Sequence, residues 1–398
     1  MTRNSFRLIA CTAALTLTPA LPSLAQQPQV ASPVPVTAAA SGFERFTPRP
    51  AKRTSFDYGV WDDALDDMVL DLGPSLRRRA GRPTAQVGTR IAKGHSSAYR
   101  LEGSRFTFAY VNDTYREGLE QYRKDLEELG TRYDIATLSR DEQLAYWINL
   151  HNVALIEKIA EGYPIRRPSR INVKVDGTKH PIDEAPFITV KGQRLSLRDI
   201  RTRIVYPNWN DPRVTYAFFR GDIGGPRLAP NAFTASRLDY MLDENAREFV
   251  NSLRGFNLAR DSRKVSKIYE EVAPFYFPSL ERDLIRHMSL YARPEVAQEM
   301  AEPRPVEYDR YEDDVADLSG GNRLGASALN TASTRVNGVG VSFEVAQLLR
   351  ETNEKFRELR SEGLVGGAQG TVIIEDIETE DLTPDPEYSP YYVPPAGE

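Results

Sequence analysis

Four side chains stand where chemistry is possible. His151 and Asn152 lie in one apolar stretch, and Arg220 and Asp222 lie in a glycine-rich one. A carboxylate beside a histidine orients the ring and raises its pKa, which suits general base work. His151 and Asp222 are therefore the catalytic candidates. An arginine with asparagines would instead hold a carboxylate or a sugar. For that role the candidates are Asn149, Asn152 and Arg220, together with Gly221, Gly224 and Gly225, where backbone can approach a ligand closely. The same residues also admit a structural reading, a buried polar network that ties loop to helix. A buried polar group without a partner costs ~1–3 kcal/mol, so such groups find one.

Other chemistries have less support. The histidines are His95, His151, His180 and His287, with no H-x-H or H-E-x-x-H spacing, so no metal site is expected. A serine nucleophile lacks its G-x-S-x-G elbow. Gly221 to Gly225 lacks the G-K-[ST] ending of a phosphate loop and the dinucleotide fingerprint spacing, and no cofactor is expected. Arg220-Gly221-Asp222 spells an adhesion tripeptide, too short to carry weight. The single cysteine, Cys11, falls in a leader-like segment: Arg3 and Arg7, then the apolar Leu8 to Leu21, then Ser23-Leu24-Ala25. Cleavage after Ala25 would leave no thiol, hence no disulfide, thiol nucleophile or thiolate ligand. It would also leave 49 basic against 56 acidic residues, a net of -7 in place of -5. Neither value gives a basic footprint for nucleic acid.

The elements that position these residues begin with Leu138 to Pro164. Ser139 and Glu142 suit a capping box, and Gly162 and Pro164 suit a stop. Apolar residues between them leave almost no polar face, so this is a central helix covered on most sides, with His151 and Asn152 at its most apolar part. Asn112 or Asp113 can cap a helix through Leu129, and Ser196 a short one, LRDIRTRIVY. Arg105 to Val111, Ile171 to Val175, Phe187 to Val190 and, best of all, Val214 to Phe219 read as strands, with Gly192-Gln193 a hairpin turn. Leu238 to Leu253 is amphipathic, and helix in Val265 to Tyr291 is broken at Pro274 and Pro278.

Asp141-Glu142-Gln143-Leu144-Ala145-Tyr146-Trp147-Ile148-Asn149-Leu150-His151-Asn152, Gly192 to Ile200 (GQRLSLRDI), Asp211-Pro212-Arg213-Val214 and Leu242-Asp243-Glu244-Asn245-Ala246-Arg247 together resemble the domain-of-unknown-function family 547. The resemblance extends over most of Phe56 to Leu318. It implies a single mixed α+β domain and brings no established activity. Members of that family usually carry a C-A-S-x-S-C-P-like loop. Here Arg220 to Pro226 takes its place, with Arg220 and Gly225 at the cysteine positions. Members often carry Tyr where this chain has His151.

The expected organisation is a signal peptide (1–25), a disordered linker (26–55), an α+β domain (56–318), a linker (319–341), an amphipathic helix (342–362) and a disordered acidic, Pro/Tyr-rich tail (363–398). The domain is expected to be mostly helical, with a small, largely antiparallel sheet around the buried central helix. No transmembrane segment is expected in the mature chain. The favoured function is a non-catalytic or degenerate ligand-binding module, periplasmic or secreted, whose partner is an envelope peptide, glycan or protein. The alternatives are a hydrolase of an envelope peptide or glycan using an Asp/His pair, and a structural protein that docks a partner through its C-terminal helix.

Overall fold

The computed structural model describes residues 42–84, 94–322, 334–336, 339–365 and 374–376, all within one compact unit, Gly42–Glu398. The expected leader and most of the tail lie outside the described residues. No helix among those residues is long and apolar enough to cross a membrane.

The helix Arg140–Gly162 runs through the middle of the core, buried from Glu142 to Glu157 without a break. Ser139 caps it by accepting the Glu142 N–H at 3.3 Å. The capping box is completed differently from expectation. The Glu142 carboxylate takes the Phe56 N–H at 3.1 Å and the Tyr58 hydroxyl at 3.2 Å, tying the N-terminal segment to the helix. That segment is a correction to the linker expectation over 42–55. Phe46 is buried edge-on against Trp147 with ring centroids 5.1 Å apart, and Arg49 and Ala51 donate N–H groups to Ala136 and Thr137.

Around this axis pack Gly59–Met68, Asp113–Arg132, Leu238–Val250 and Ile268–Tyr276. Asn112 caps the second of these through the Tyr115 N–H at 2.9 Å. The Ile268–Tyr276 helix continues through Pro274, where sequence predicted a break. The fold is α+β, as expected, but its β-structure is divided among several small sheets. The hairpins Asn172–Val175/Thr178–Pro181 and Ile188–Val190/Gln193–Leu195 are antiparallel. In the sheet of Phe256–Leu258, Arg263–Val265 and Val306–Tyr308, the last pair is parallel. Thr334–Val336 pairs with Val339–Val341 and Ile374–Asp376, within segments read as linker and tail.

The expected strand Val214 to Phe219 is corrected. Pro212–Ala217 is a 3₁₀ helix, started by Asp211 accepting the Arg213 N–H at 2.9 Å. Its apolar side chains are buried, but side-chain amides rather than a sheet take up the backbone. Asn245 donates to Tyr216 O and Asn152 to Ala217 O, both at 3.0 Å. A short apolar run gives burial without giving period.

The C-terminal helix is Phe343–Ser361, within a residue of its expected start. Its apolar stripe is not free for a partner. Val345, Ala346, Leu348 and Leu349 pack with Leu318, Leu70 and Leu101 of the same chain. Arg100 grips Glu351 with two nitrogens at 2.9 and 2.8 Å.

Candidate functional site

The polar residues of the central helix serve neighbouring backbone. Asn149 donates to Phe233 O at 2.7 Å and accepts the Phe233 N–H at 3.0 Å, which pins the segment before Leu238–Val250. Asn152 donates to Ala217 O, and its Oδ1 accepts the Phe219 N–H at 3.1 Å. That same oxygen lies 3.0 Å from His151 Nδ1, so Nδ1 carries the ring proton. Nε2 then accepts from Arg201 Nη1 at 2.9 Å. Burial and the Arg201 charge hold His151 well below the ordinary histidine pKa. The ring is therefore neutral, and its basic lone pair is taken by a guanidinium.

Arg201 is the residue the sequence reasoning missed. It comes from the helical run 197–208, which Ser196 and Asp199 start with a reciprocal capping box. Its side chain is almost fully buried. Both Asp183 oxygens lie 2.8 Å from it, and Glu271 accepts from Nε at 3.0 Å and Nη2 at 2.9 Å. Arg220 shares Glu271, donating from Nη2 at 2.6 Å, while its Nε has no hydrogen-bond partner. Burial alone would push Glu271 up, but the two guanidinium groups hold it well below the usual carboxylate range. Both arginines stay charged: burial opposes this, and their carboxylates overcome it.

This cluster floors a cleft of about 710 Å³. Leu155, Ile182, Phe219 and Phe275 give it apolar walls, with Phe275 38% exposed at the surface. Arg198, Lys267, Asp222 and Tyr311 also line it. Apolar walls with a few converging polar groups are the usual form of a small-molecule site.

Asp222 does not reach His151. Its Oδ1 accepts the Tyr311 hydroxyl at 2.7 Å and the Gly225 N–H at 3.0 Å. The expected Asp/His pair is therefore not formed, because each partner is held by other groups. Burial pushes the Asp222 carboxyl up to about 7, despite the hydrogen bonds from Tyr311 and Gly225 and the nearby Arg220 charge. The glycines of this loop serve close packing. Gly221 has φ +80°, and a Cβ there would overlap Ile159. Gly224 lies against the Glu312 backbone and donates its N–H to Glu312 O at 2.8 Å. With the Gly224 and Gly225 N–H groups spent internally, the loop is no phosphate cradle.

Among the other acidic groups, Glu312, Asp313 and Asp314 converge. Arg167 lies 3.3 Å from Asp313 and Arg166 lies 3.2 Å from Asp314, so arginines neutralise part of this cluster. No spacing in the sequence joins Asp183, Arg201, Arg220 and Glu271. The available signal was weaker: Arg201 falls on the buried face of a well-capped helix, where an arginine requires carboxylates.

Residues 135–250 match the family described as "Protein of unknown function, DUF547". No curated protein and no solved structure matches the chain. The match runs from the start of the central helix through the Arg220–Pro226 loop to the end of Leu238–Val250, a narrower span than the resemblance suggests. Residues 135–250, which hold Arg201, Arg220 and Asp222 of the cleft, are thus the part of the chain that is similar to the DUF547 family.

Proposed function

We propose that this chain is an exported ligand-binding protein of the cell envelope, and that the cleft over Arg201 and Arg220 takes an envelope peptide through a carboxylate. The observation that carries the reading is the charge arrangement of an otherwise apolar cleft. Four cations line it (Arg198, Arg201, Arg220 and Lys267) against three acids, Asp183, Glu270 and Glu271. The fourth acid, Asp222, is held near half-protonation at neutral pH. Arg220 has one shared carboxylate and a donor to spare. A ligand carboxylate would complete its shell, and an adjoining apolar side chain would lie on Phe275. The leader-like segment and the single, leader-borne cysteine support export. The neutral, fully engaged His151 favours binding over catalysis.

The test is calorimetry with N-acetylated tripeptides ending in phenylalanine, with the terminal carboxyl either free or amidated. The free acid is expected to bind, and the amide and the Arg220→Ala variant to bind roughly tenfold more weakly or not at all. Equal binding of acid and amide would sink the carboxylate reading.

One observation favours a second reading, hydrolysis. Asp222 is a carboxylic acid with a near-neutral pKa at the edge of the cleft, as a general acid requires. In that case turnover of a peptide or glycan would disappear in Asp222→Asn and survive in His151→Gln.

A further inference from the structure

A second cleft of about 710 Å³ shares no lining residue with the first. It lies between the segment Asp71 to Ser75, the helix Leu238–Val250 and the turn Tyr291 to Pro294, with Leu364 and Val365 at its edge. Its frame is fixed by hydrogen bonds among these parts. Arg227 is mostly buried and bonds Asp71 at 2.7 Å and Asn245 at 3.1 Å. Asn251 donates to Arg247 O at 2.7 Å and Tyr291 O at 2.9 Å, and accepts the Arg293 N–H at 2.6 Å. Arg293 reaches across to Ser75 O at 3.0 Å. A frame held this way loses little freedom when a ligand arrives.

We infer that this cleft is a binding site for a neutral, hydroxyl-rich ligand, an oligosaccharide. The first argument is charge. Each cation of the lining already has an acid beside it: Arg227 has Asp71, Arg247 has Asp243 at 3.8 Å, and Arg293 has Glu295 at 2.9 Å. A charged ligand would have to displace one of these partners, whereas a hydroxyl can accept from a guanidinium edge and donate to a carboxylate at once. The second is an unmet donor, since Arg293 Nη1 is buried without a hydrogen-bond partner. Buried polar groups are normally satisfied, and a hydroxyl oxygen is a suitable acceptor. The third is the aromatic wall. Tyr240 is 67% exposed at the cleft and Tyr291 lines it as well. A large exposed tyrosine offers a flat apolar face with a polar tip, which suits the alternating CH and OH surface of a sugar ring.

The test is calorimetric titration of the full chain with cellotetraose, chitotetraose and maltotetraose. Saturable binding of at least one is expected. It should weaken about tenfold in Tyr240→Ala and in Arg247→Ala, two exposed positions whose loss leaves the unfolding temperature unchanged, and should be unaffected in Arg220→Ala. Absence of saturable binding by all three sugars would overturn the inference. So would binding that Tyr240→Ala and Arg247→Ala leave intact, or binding that Arg220→Ala abolishes.

Discussion

Among the arginine–carboxylate networks of the described residues, two are built from similar residue types and differ in their access to water. One floors the first cleft: Arg201 and Arg220 with Asp183 and Glu271. The other lies among Ser75, Glu102, Glu248 and Arg254. There Glu102 accepts the Ser75 hydroxyl and the N–H groups of Leu253 and Arg254, and Arg254 pairs with Glu248 while donating to Gly225 O at 2.6 Å. The Arg254 and Glu248 side chains are 2% and 5% exposed, whereas Glu271 is 21% and Asp183 42% exposed. The tighter network reaches the second cleft only at Ser75 and Glu248, and its Arg254 mainly positions backbone. The open one presents charge to whatever enters. A buried ion pair by itself therefore says little about function; it becomes a candidate site where a cleft reaches it.

The comparison is sharpest in stability. Arg254→Met removes the partner of a nearly buried carboxylate, Glu248, and should cost about 3–5 kcal/mol by urea denaturation. Glu271→Gln leaves Asp183 on Arg201 and has water at hand, so roughly half that cost is expected. Equal losses would mean that access to water does not separate the two networks.

Asp222 provides the next contrast, through pH. Its folded pKa of about 7 lies above the ordinary value of 3.8. The native state therefore binds the proton more tightly, and stability is lost as pH rises from about 4 through 7. Asp222→Asn removes this loss, so the variant should be more stable than the parent by about 2–4 kcal/mol at pH 8, with the advantage gone at pH 4. Parallel stability curves for the two proteins would show that Asp222 is not held in the environment described.

A smaller effect is expected where the C-terminal helix seals its own site. Lys355 is buried and donates to Leu72 O at 2.7 Å, Gly73 O at 3.3 Å and Leu101 O at 2.6 Å. Burial lowers its pKa to about 8. Lys355→Met leaves three carbonyls short of a donor but also removes a desolvated charge, for a net loss of about 1–2 kcal/mol. Faster amide exchange confined to Phe343–Ser361 and to Leu70 to Gly73 would locate the change. Exchange that rises uniformly over the chain would contradict a local clasp.

Much of the scaffold was legible in the sequence because its signals are local. Ser139, Asn112 and Ser196 cap helices where their spacing places them, and the period of the C-terminal helix marks the stripe that becomes buried. The candidate residues were legible as types but not in their roles. His151 and Asp222 are chemically able to pair, yet Arg201 and Tyr311 reach them first.

By itself the sequence determined that a thoroughly apolar helix with a few polar residues would form the centre of an α+β fold. Helix formation depends on hydrogen bonds four residues apart and on a repeating apolar face, and both can be read from neighbours. Tertiary structure alone decided which groups those polar residues meet. Arg201 finds Asp183, 18 residues away, and Glu271, 70 residues away. The run Val214 to Phe219 forgoes a sheet because asparagines from two other helices satisfy its carbonyls. Desolvation forces every buried donor and acceptor to find a partner, and packing across the whole chain determines which partner is within reach.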